Sequence, residues 1–243
     1  MEQFDTVIVG SGYYALGYAM THEKTLIVEE TQMADRHYAA CLRPFDASRV
    51  EACGEAAALF ESMKAQNIIR DGRVRLAGLE AGLCDFATRF SPRVLLDTVC
   101  TGIEKTGEGY RVALFNNEGA SEILARRVID TRVSGGDVLH ILVCGDIDNN
   151  IQGIDVFDGC LDGEKILSLH LGDVKDINRA KSVACEKLEN ILLSKGAKIL
   201  CMGYRMSRAE SVAPYTDGQG IDYVDETFFG DPFTAFEKGA TRI

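Results

Sequence analysis

Gly10, Gly12 and Ala15 fall at the spacing G-x-G-x-x-G/A in Gly10-Ser11-Gly12-Tyr13-Tyr14-Ala15, and an acid, Glu29, stands nineteen residues after Gly10. Each position has a chemical task. Gly10 permits a tight turn, Gly12 lets a diphosphate approach the backbone, the small Ala15 lets a helix pack on a sheet, and Glu29 can accept hydrogen bonds from a ribose diol. A helix beginning at such a turn adds unpaired N–H groups and a partial positive charge, so the chemistry implied is the grip of a dinucleotide.

That grip needs a strand before the turn, a helix after it and a second strand ending at the acid. Asp5-Thr6-Val7-Ile8-Val9 is a β-branched apolar run, Tyr13 to Met20 is compatible with a helix, and Thr25-Leu26-Ile27-Val28 is a second buried strand at the separation a βαβ crossover needs. A helix is expected from Asp46 or Ser48 to about Gln66, and another amphipathic segment carries Leu79, Leu83, Phe86, Ala87 and Phe90 up to Pro92. The period then changes to strands: Val94 to Thr98, a short antiparallel meander turning at Thr106-Gly107-Glu108-Gly109 and Asn116-Asn117-Glu118-Gly119, and a return strand ending Val128-Ile129-Asp130. Beyond Ser134-Gly135-Gly136 two more strands, Asp137–Val143 and Lys165–Leu171, suggest a second sheet. A helix from about Lys175 to Lys195 and a strand from Lys198 to Met202 complete it. Asp231 and Pro232 read as the cap and first position of a last helix.

The fold class expected is α/β: a Rossmann-like domain with a three-layer parallel sheet and meander crossover over residues 1–132 and 215–243, and a small α+β cap over 133–214. With 26 Lys+Arg against 37 Asp+Glu the net charge is −11, which argues against a nucleic-acid partner. No apolar run approaches the roughly 20 residues of a membrane span, and the N-terminus lacks a basic n-region and an apolar h-region, so a cytoplasmic protein is expected. The eight cysteines never come closer than twelve positions, which leaves no CxxC pair for a metal or a dithiol.

Asp5-Thr6-Val7-Ile8-Val9-Gly10-Ser11-Gly12 with Leu26-Ile27-Val28-Glu29 resembles the N-terminus of the FAD-dependent oxidoreductases of the glutathione-reductase type. The meander crossover is similar to theirs, Val128-Ile129-Asp130-Thr131 resembles their strand returning to the nucleotide, and Phe229-Gly230-Asp231-Pro232-Phe233-Thr234 resembles their closing segment at the flavin. The resemblance implies FAD as cofactor, held by Gly10, Ser11, Gly12, Tyr13, Tyr14, Ala15, Glu29, Glu30, Thr131, Gly230, Asp231 and Thr234, with Cys100 where the family touches adenine. Two positions depart from the pattern: Glu30-Thr31-Gln32 replaces a common Gly-Gly after the ribose acid, and Arg132 stands where Gly is common.

In those families the loop after the second strand passes the flavin, which makes His37, Cys41 and Arg43 the catalytic candidates. Arg43 suits a substrate carboxylate, His37 a proton transfer near neutral pH, and Cys41 is expected to be an exposed thiol in a basic loop with a lowered pKa. The expected function is oxidation or reduction of a small molecule. The alternatives are a non-catalytic FAD-binding protein completed by a homo-oligomer or partner subunit, which an exposed cluster of Phe228, Phe229, Phe233 and Phe236 would favour, and an NAD-binding enzyme, since Glu29 suits any dinucleotide ribose.

Overall fold

The computed structural model describes residues 2–132 and 136–241. Residues 133–135, where the sequence places the junction between domains, and 242–243 lie outside the described residues.

The chain opens with β1 (Gln3–Val9), α1 (Tyr13–Thr21) and β2 (Thr25–Val28), continues through α2 (Gly54–Ala65), the two-residue strands β3 (Ile69–Arg70) and β4 (Arg73–Val74), α3 (Leu76–Ala87) and β5 (Arg93–Leu95), and enters the meander β6 (Val99–Thr106), β7 (Gly109–Asn116) and β8 (Gly119–Asp130). The cap follows as β9 (Val138–Cys144), β10 (Ile154–Asp158), β11 (Glu164–His170), α4 (Ile177–Ser194) and β12 (Lys198–Met202). The chain then returns through β13 (Tyr215–Thr216), β14 (Asp222–Tyr223) and α5 (Pro232–Thr241).

The first sheet runs β13-β14-β8-β1-β2-β5, with β6 and β7 branching from β8. β1 lies parallel to both β2 and β8, and β14 is parallel to β8. β8 serves two layers: its first half pairs antiparallel with β7 and its second half parallel with β1. Ile8, Ile27 and Ile129 face the helices, whereas Val7, Val9, Leu26, Val28 and Val128 face Tyr110, Val112 and Leu114 of the meander. Both faces are covered, which is why these strands read as unbroken apolar runs rather than as an alternation.

The second sheet is antiparallel, in the order β10-β11-β9-β12. Leu139, Ile141, Val143, Leu167 and Leu169 project from one face onto Ala180, Ala184, Leu188 and Leu192 of α4, whose N-terminus is capped by Asp176 accepting from the Arg179 N–H. The opposite face turns toward the first domain, where Ile166 joins the main core. The segment after β12 ties the two parts together, the Tyr204 N–H donating to the Ala40 carbonyl at 2.7 Å.

Three expectations are corrected. Asp46 caps only a short 3-10 turn over Ala47–Arg49, the chain runs extended at Val50, and α2 begins at Gly54. The β3–β4 hairpin and β10 went unread because the first is two residues long on each side and the second is an edge strand exposing alternate residues. Phe233 and Phe236 are fully buried in the core, and Phe228 is the one of the four phenylalanines that is exposed, at 47 %. Among the described residues no helix is long and apolar enough to cross a membrane.

Candidate functional site

The fingerprint folds as its spacing demands. Gly10 takes φ +98°, and a Cβ there would strike the Thr131 hydroxyl. Gly12 precedes α1, whose Tyr13 and Tyr14 side chains enter the core: Tyr13 lies edge-on to Phe233 with centroids 5.9 Å apart, and Tyr14 stacks on Phe229 at 6.1 Å. Ala15 is fully buried. Of the two tyrosines only the Tyr14 backbone N–H faces the turn, where it donates to Glu226 Oε2 at 3.0 Å.

Glu29 ends β2 and is fully buried. Its Oε2 accepts from the Ser11 N–H (3.0 Å), the Ser11 hydroxyl (3.2 Å) and Arg36 Nη1 (3.3 Å), and its Oε1 accepts from the Thr31 N–H (3.0 Å) and hydroxyl (2.9 Å). Five donors on one carboxylate fill its acceptor capacity. Glu30 shares Arg36 and Arg205, whose hydrogen bond at 2.5 Å and positive charges draw its carboxyl below the usual range although its partial burial pushes the other way.

The loop after β2 is organised by a second buried acid. Asp35 accepts from the His37, Tyr38 and Ala39 N–H groups at 3.2, 3.0 and 2.9 Å, yet burial pushes it up to about 6. His37 Nε2 donates to the Thr131 carbonyl at 3.0 Å, which fixes the tautomer and leaves Nδ1 without a proton. Burial, reinforced by Arg36, lowers its pKa to about 3. The expected proton transfer near pH 7 by an imidazolium is therefore corrected: His37 is neutral there. Cys41 is corrected more strongly. It is buried, its Sγ donates to the Arg36 carbonyl at 3.3 Å, and burial pushes the thiol up to about 12. The basic neighbours are real, but docking of residues 203–205 on Ala40 and Cys41 has removed water from the thiol.

Between this loop and the cap lies a cleft of about 1330 Å³. Glu30 and Thr31 after β2, Arg132 after β8, and Asp225 and Thr227 after β14 line its floor, so it opens at the carboxyl ends of the parallel strands. His37, Cys41 and Arg43 also line it, facing Arg205, Ser207 and Arg208 from the cap. Arg43 Nη1 donates to the Arg208 carbonyl at 2.9 Å, and among the described residues no carboxylate pairs with it. Arg132 is held bidentate by Asp130, at 3.1 and 2.8 Å, with its side chain over Gly10.

On the cap side His140 bridges two hydroxyls, Ser168 Oγ at 2.7 Å and Ser207 Oγ at 2.6 Å. Burial and the nearby Arg43 lower its pKa to about 3. With no carboxylate behind it the imidazole stays neutral, and the bridge orients the Ser207 hydroxyl at the cleft wall. His170 pairs with Asp155 at the surface at 3.0 Å.

Several residues picked from the sequence are not among those lining the cleft, the fingerprint residues Gly10, Ser11, Gly12, Tyr13, Tyr14 and Ala15 and the acid Glu29 included. Asp231 accepts from the Phe233 and Thr234 N–H groups and from the Thr234 hydroxyl, which commits it to capping α5; Gly230, at φ +88°, ends the preceding turn. Cys100 packs beside the meander core. Thr131 is buried and bonds Val9 through both its N–H and its hydroxyl. The residue that sequence reasoning missed is Glu226. It is fully buried, its Oε1 and the Tyr38 hydroxyl lack hydrogen-bond partners among the described residues, and a Cβ on Gly12 would fall 2.7 Å from that Oε1. Among the described residues no cluster of three or more His, Cys, Asp or Glu is placed to hold a metal ion.

No family model and no curated protein matches the sequence. Solved structures do match its fold. A flavoprotein/dehydrogenase from Cytophaga hutchinsonii aligns with TM-score 0.51 and 16% identity over 98% of this chain and 76% of its own. A p-nitrophenol 4-monooxygenase from Pseudomonas putida DLL-E4 aligns with TM-score 0.60 and 10% identity over 92% and 72%. An aklavinone-11 hydroxylase, solved in a ternary complex with FAD and aklavinone, aligns with TM-score 0.52 and 10% identity over 98% of this chain and 61% of its own. The chain thus has the α/β fold found in flavoprotein oxidoreductases and monooxygenases.

Proposed function

We propose that the chain is an FAD-dependent oxidoreductase of the two-glycine-fingerprint, glutathione-reductase-like type, with a shortened cap, acting on a small organic molecule. The observation that carries this reading is the position of the cleft. Open α/β sheets bind ligands beyond the carboxyl ends of their strands, and here the ends of β2, β8 and β14 supply the floor while the cap supplies the roof. At about 1330 Å³ it exceeds the roughly 300–1000 Å³ typical of a single small-molecule pocket, leaving room for cofactor and substrate together. One protein of this fold, the aklavinone-11 hydroxylase, holds FAD and an organic ligand at once.

The residues fit a dinucleotide in kind. The glycine turn, the α1 N-terminus and Glu29 would supply diphosphate and ribose contacts, and Glu226 Oε1, without a hydrogen-bond partner among the described residues, lies 2.7 Å from where a Cβ on Gly12 would stand. The domain division at 132/133 belongs to this proposal, with residues 1–132 and 215–243 holding the cofactor. Bound there, FAD supplies the hydride or electron transfer. The chain's own residues bind and orient. Arg43 offers an uncompensated cation to an anionic substrate group, Ser207 a hydroxyl fixed by His140, and Nδ1 of neutral His37 an acceptor. The flavoproteins among proteins of this fold favour FAD over NAD, and burial of Phe233 and Phe236 leaves Phe228 as the exposed member of the four phenylalanines.

The test is an absorption spectrum of the freshly purified chain, followed by chromatography of any ligand that heat releases. The expected result is an oxidised-flavin spectrum and free FAD, or uptake of added FAD by a colourless preparation. A colourless protein that takes up none overturns the reading.

A further inference from the structure

We propose that Glu226 is a built-in competitor for the cofactor's diphosphate, its carboxylate holding the N-terminus of α1 closed until it is displaced. This rests on the dinucleotide reading above and adds to it a control of loading.

The geometry is specific. A glycine-rich fingerprint reserves two things for a diphosphate: the open face of its second glycine and the first free N–H groups of the helix. In this chain Glu226 fills both. The Tyr14 N–H donates to its Oε2 at 3.0 Å, and the space a Cβ on Gly12 would need is taken by the carboxylate. α1 has nine residues, so its terminal dipole favours an anion, and the protein supplies one from 212 residues further along.

The arrangement is expensive for the fold taken alone. Glu226 is fully buried, keeps one donor, and has an Oε1 with none. Leaving a buried acceptor of a charged group unpaired costs more than an ordinary lost hydrogen bond. The groups facing it bring little relief: Tyr13 from α1, Asp35, Arg36 and Tyr38 from the loop after β2, and Asp225 beside it. Arg36 is the sole cation among them and already bonds Glu29 and Glu30. An anion site occupied so poorly by its own side chain is one from which a better anion can evict it.

Eviction carries a charge rule. A diphosphate brings negative charge to the same N–H groups, so an ionised Glu226 cannot stay beside it; it must swing away or remain as the neutral acid. Burial and the neighbouring Asp35 both push the Glu226 carboxyl well up, so the neutral form is within reach as pH falls. Loading is therefore favoured by acid, and removal of the carboxylate removes the barrier.

The experiment titrates the ligand-stripped 243-residue chain with FAD, and separately with inorganic pyrophosphate, at pH 5.5 and pH 8, for wild type, Glu226→Gln, Glu226→Ala and the control Asp35→Asn. Wild type is expected to bind FAD more tightly at pH 5.5 than at pH 8, the direction set by protonation of Glu226. Both Glu226 variants are expected to bind FAD and pyrophosphate at pH 8 about tenfold more tightly than wild type and to lose most of the pH dependence, while Asp35→Asn, which removes a charge that raises Glu226, moves that dependence to lower pH without abolishing it. Glu226→Gln is nearly isosteric and keeps an acceptor for the Tyr14 N–H, so it serves should the alanine variant fail to fold. Equal affinities in wild type and Glu226 variants overturn the competitor; with FAD bound by all of them, the flavin reading survives. A gain in pyrophosphate affinity with no FAD binding by any variant supports the competitor and overturns the flavin reading. No binding of either ligand by any variant overturns both.

Discussion

The two halves of the molecule bury polarity in different ways. Around the fingerprint three carboxyl groups, Glu29, Asp35 and Glu226, are fully buried; Glu29 and Asp35 are each served by several main-chain N–H groups and Glu226 by that of Tyr14 alone. On the cap face toward the cleft the buried polar groups are His140, Ser168 and Ser207, all uncharged at neutral pH and bonded to one another. Burying charge is tolerated where a helix end or a turn offers converging donors, and such places are built for anions. A neutral network needs no counter-charge and suits the wall of a substrate pocket. On the proposed reading the difference divides the roles: the strand-and-helix half would grip a charged cofactor, and the other half would shape the space beside it.

The largest effect should come from breaking the close helix crossing that supports the charged half. A Cβ on Gly17 of α1 would land on the Phe236 carbonyl of α5, and one on Gly239 of α5 would land on the Tyr14 carbonyl. Backbone cannot step aside as a side chain does. Gly17→Val should cost about 3 kcal/mol or more, seen as a fall of many degrees in melting temperature and failure to retain flavin. A variant that melts like wild type would show that the α1–α5 crossing does not position the fingerprint.

Acid should separate the halves next. The folded cap refuses His140 a proton that the unfolded chain accepts: a pKa near 3 against an ordinary 6.5 means that this stability is present above about 6.5 and is lost as pH falls toward 3. His37 has the same sign in the other half, but Asp35 opposes it. Raised from 3.8 to about 6, Asp35 binds a proton in the folded state first, so stability is gained as pH falls from about 6 to about 4. Hydrogen exchange at pH 4.5 should therefore show amides of β9 and β11 losing protection relative to pH 7 by a larger factor than those of β1 and β2. The reverse order would break the comparison.

The legibility of the molecule follows the same division. β1, α1 and β2 could be read because burial on both faces makes continuous apolar strands, and the meander because its turns are marked by Gly107, Gly109 and Gly119. Asp231 capping α5 and Asp176 capping α4 are local signals, and the first was read correctly in the sequence. Glu226 could not be read. It is one of 37 acids, and its meaning arises only when β14 pairs beside β8 and sets it against a helix 212 residues earlier. The burial of His37 and Cys41 was equally hidden, since it depends on the chain after β12 docking on Ala40. Residues whose role is set by neighbours in sequence were legible; those whose role is set by a distant cover were not.

A smaller effect is expected at the seam between the halves. Arg43→Ala removes a cation that no carboxylate offsets among the described residues, together with its hydrogen bond to the Arg208 carbonyl. Benzoate, titrated against the flavin spectrum, should bind about tenfold more weakly, or roughly 1.4 kcal/mol, with FAD still retained. Arg43→Lys should recover part of the loss. Unchanged benzoate affinity would take Arg43 out of the substrate pocket.

The smallest effect should be at Cys41, and it tests whether the loop beside the fingerprint works as scaffold. At pH 8 a thiol with a pKa near 12 is thiolate about once in ten thousand molecules, and its Sγ is hidden beneath the Arg36 carbonyl and the docked cap segment. A thiol reagent applied to the native chain should modify the exposed Cys144 and Cys185 and leave Cys41 untouched until the protein unfolds. Cys41→Ala should then cost about 1 kcal/mol of packing and change FAD affinity less than twofold, because the buried thiol is spent on the Arg36 carbonyl. Rapid native labelling of Cys41 would mean that the cap lifts from the loop on the timescale of the reagent. The cleft would then be a closing one, and the neutral wall and the charged floor would meet only part of the time.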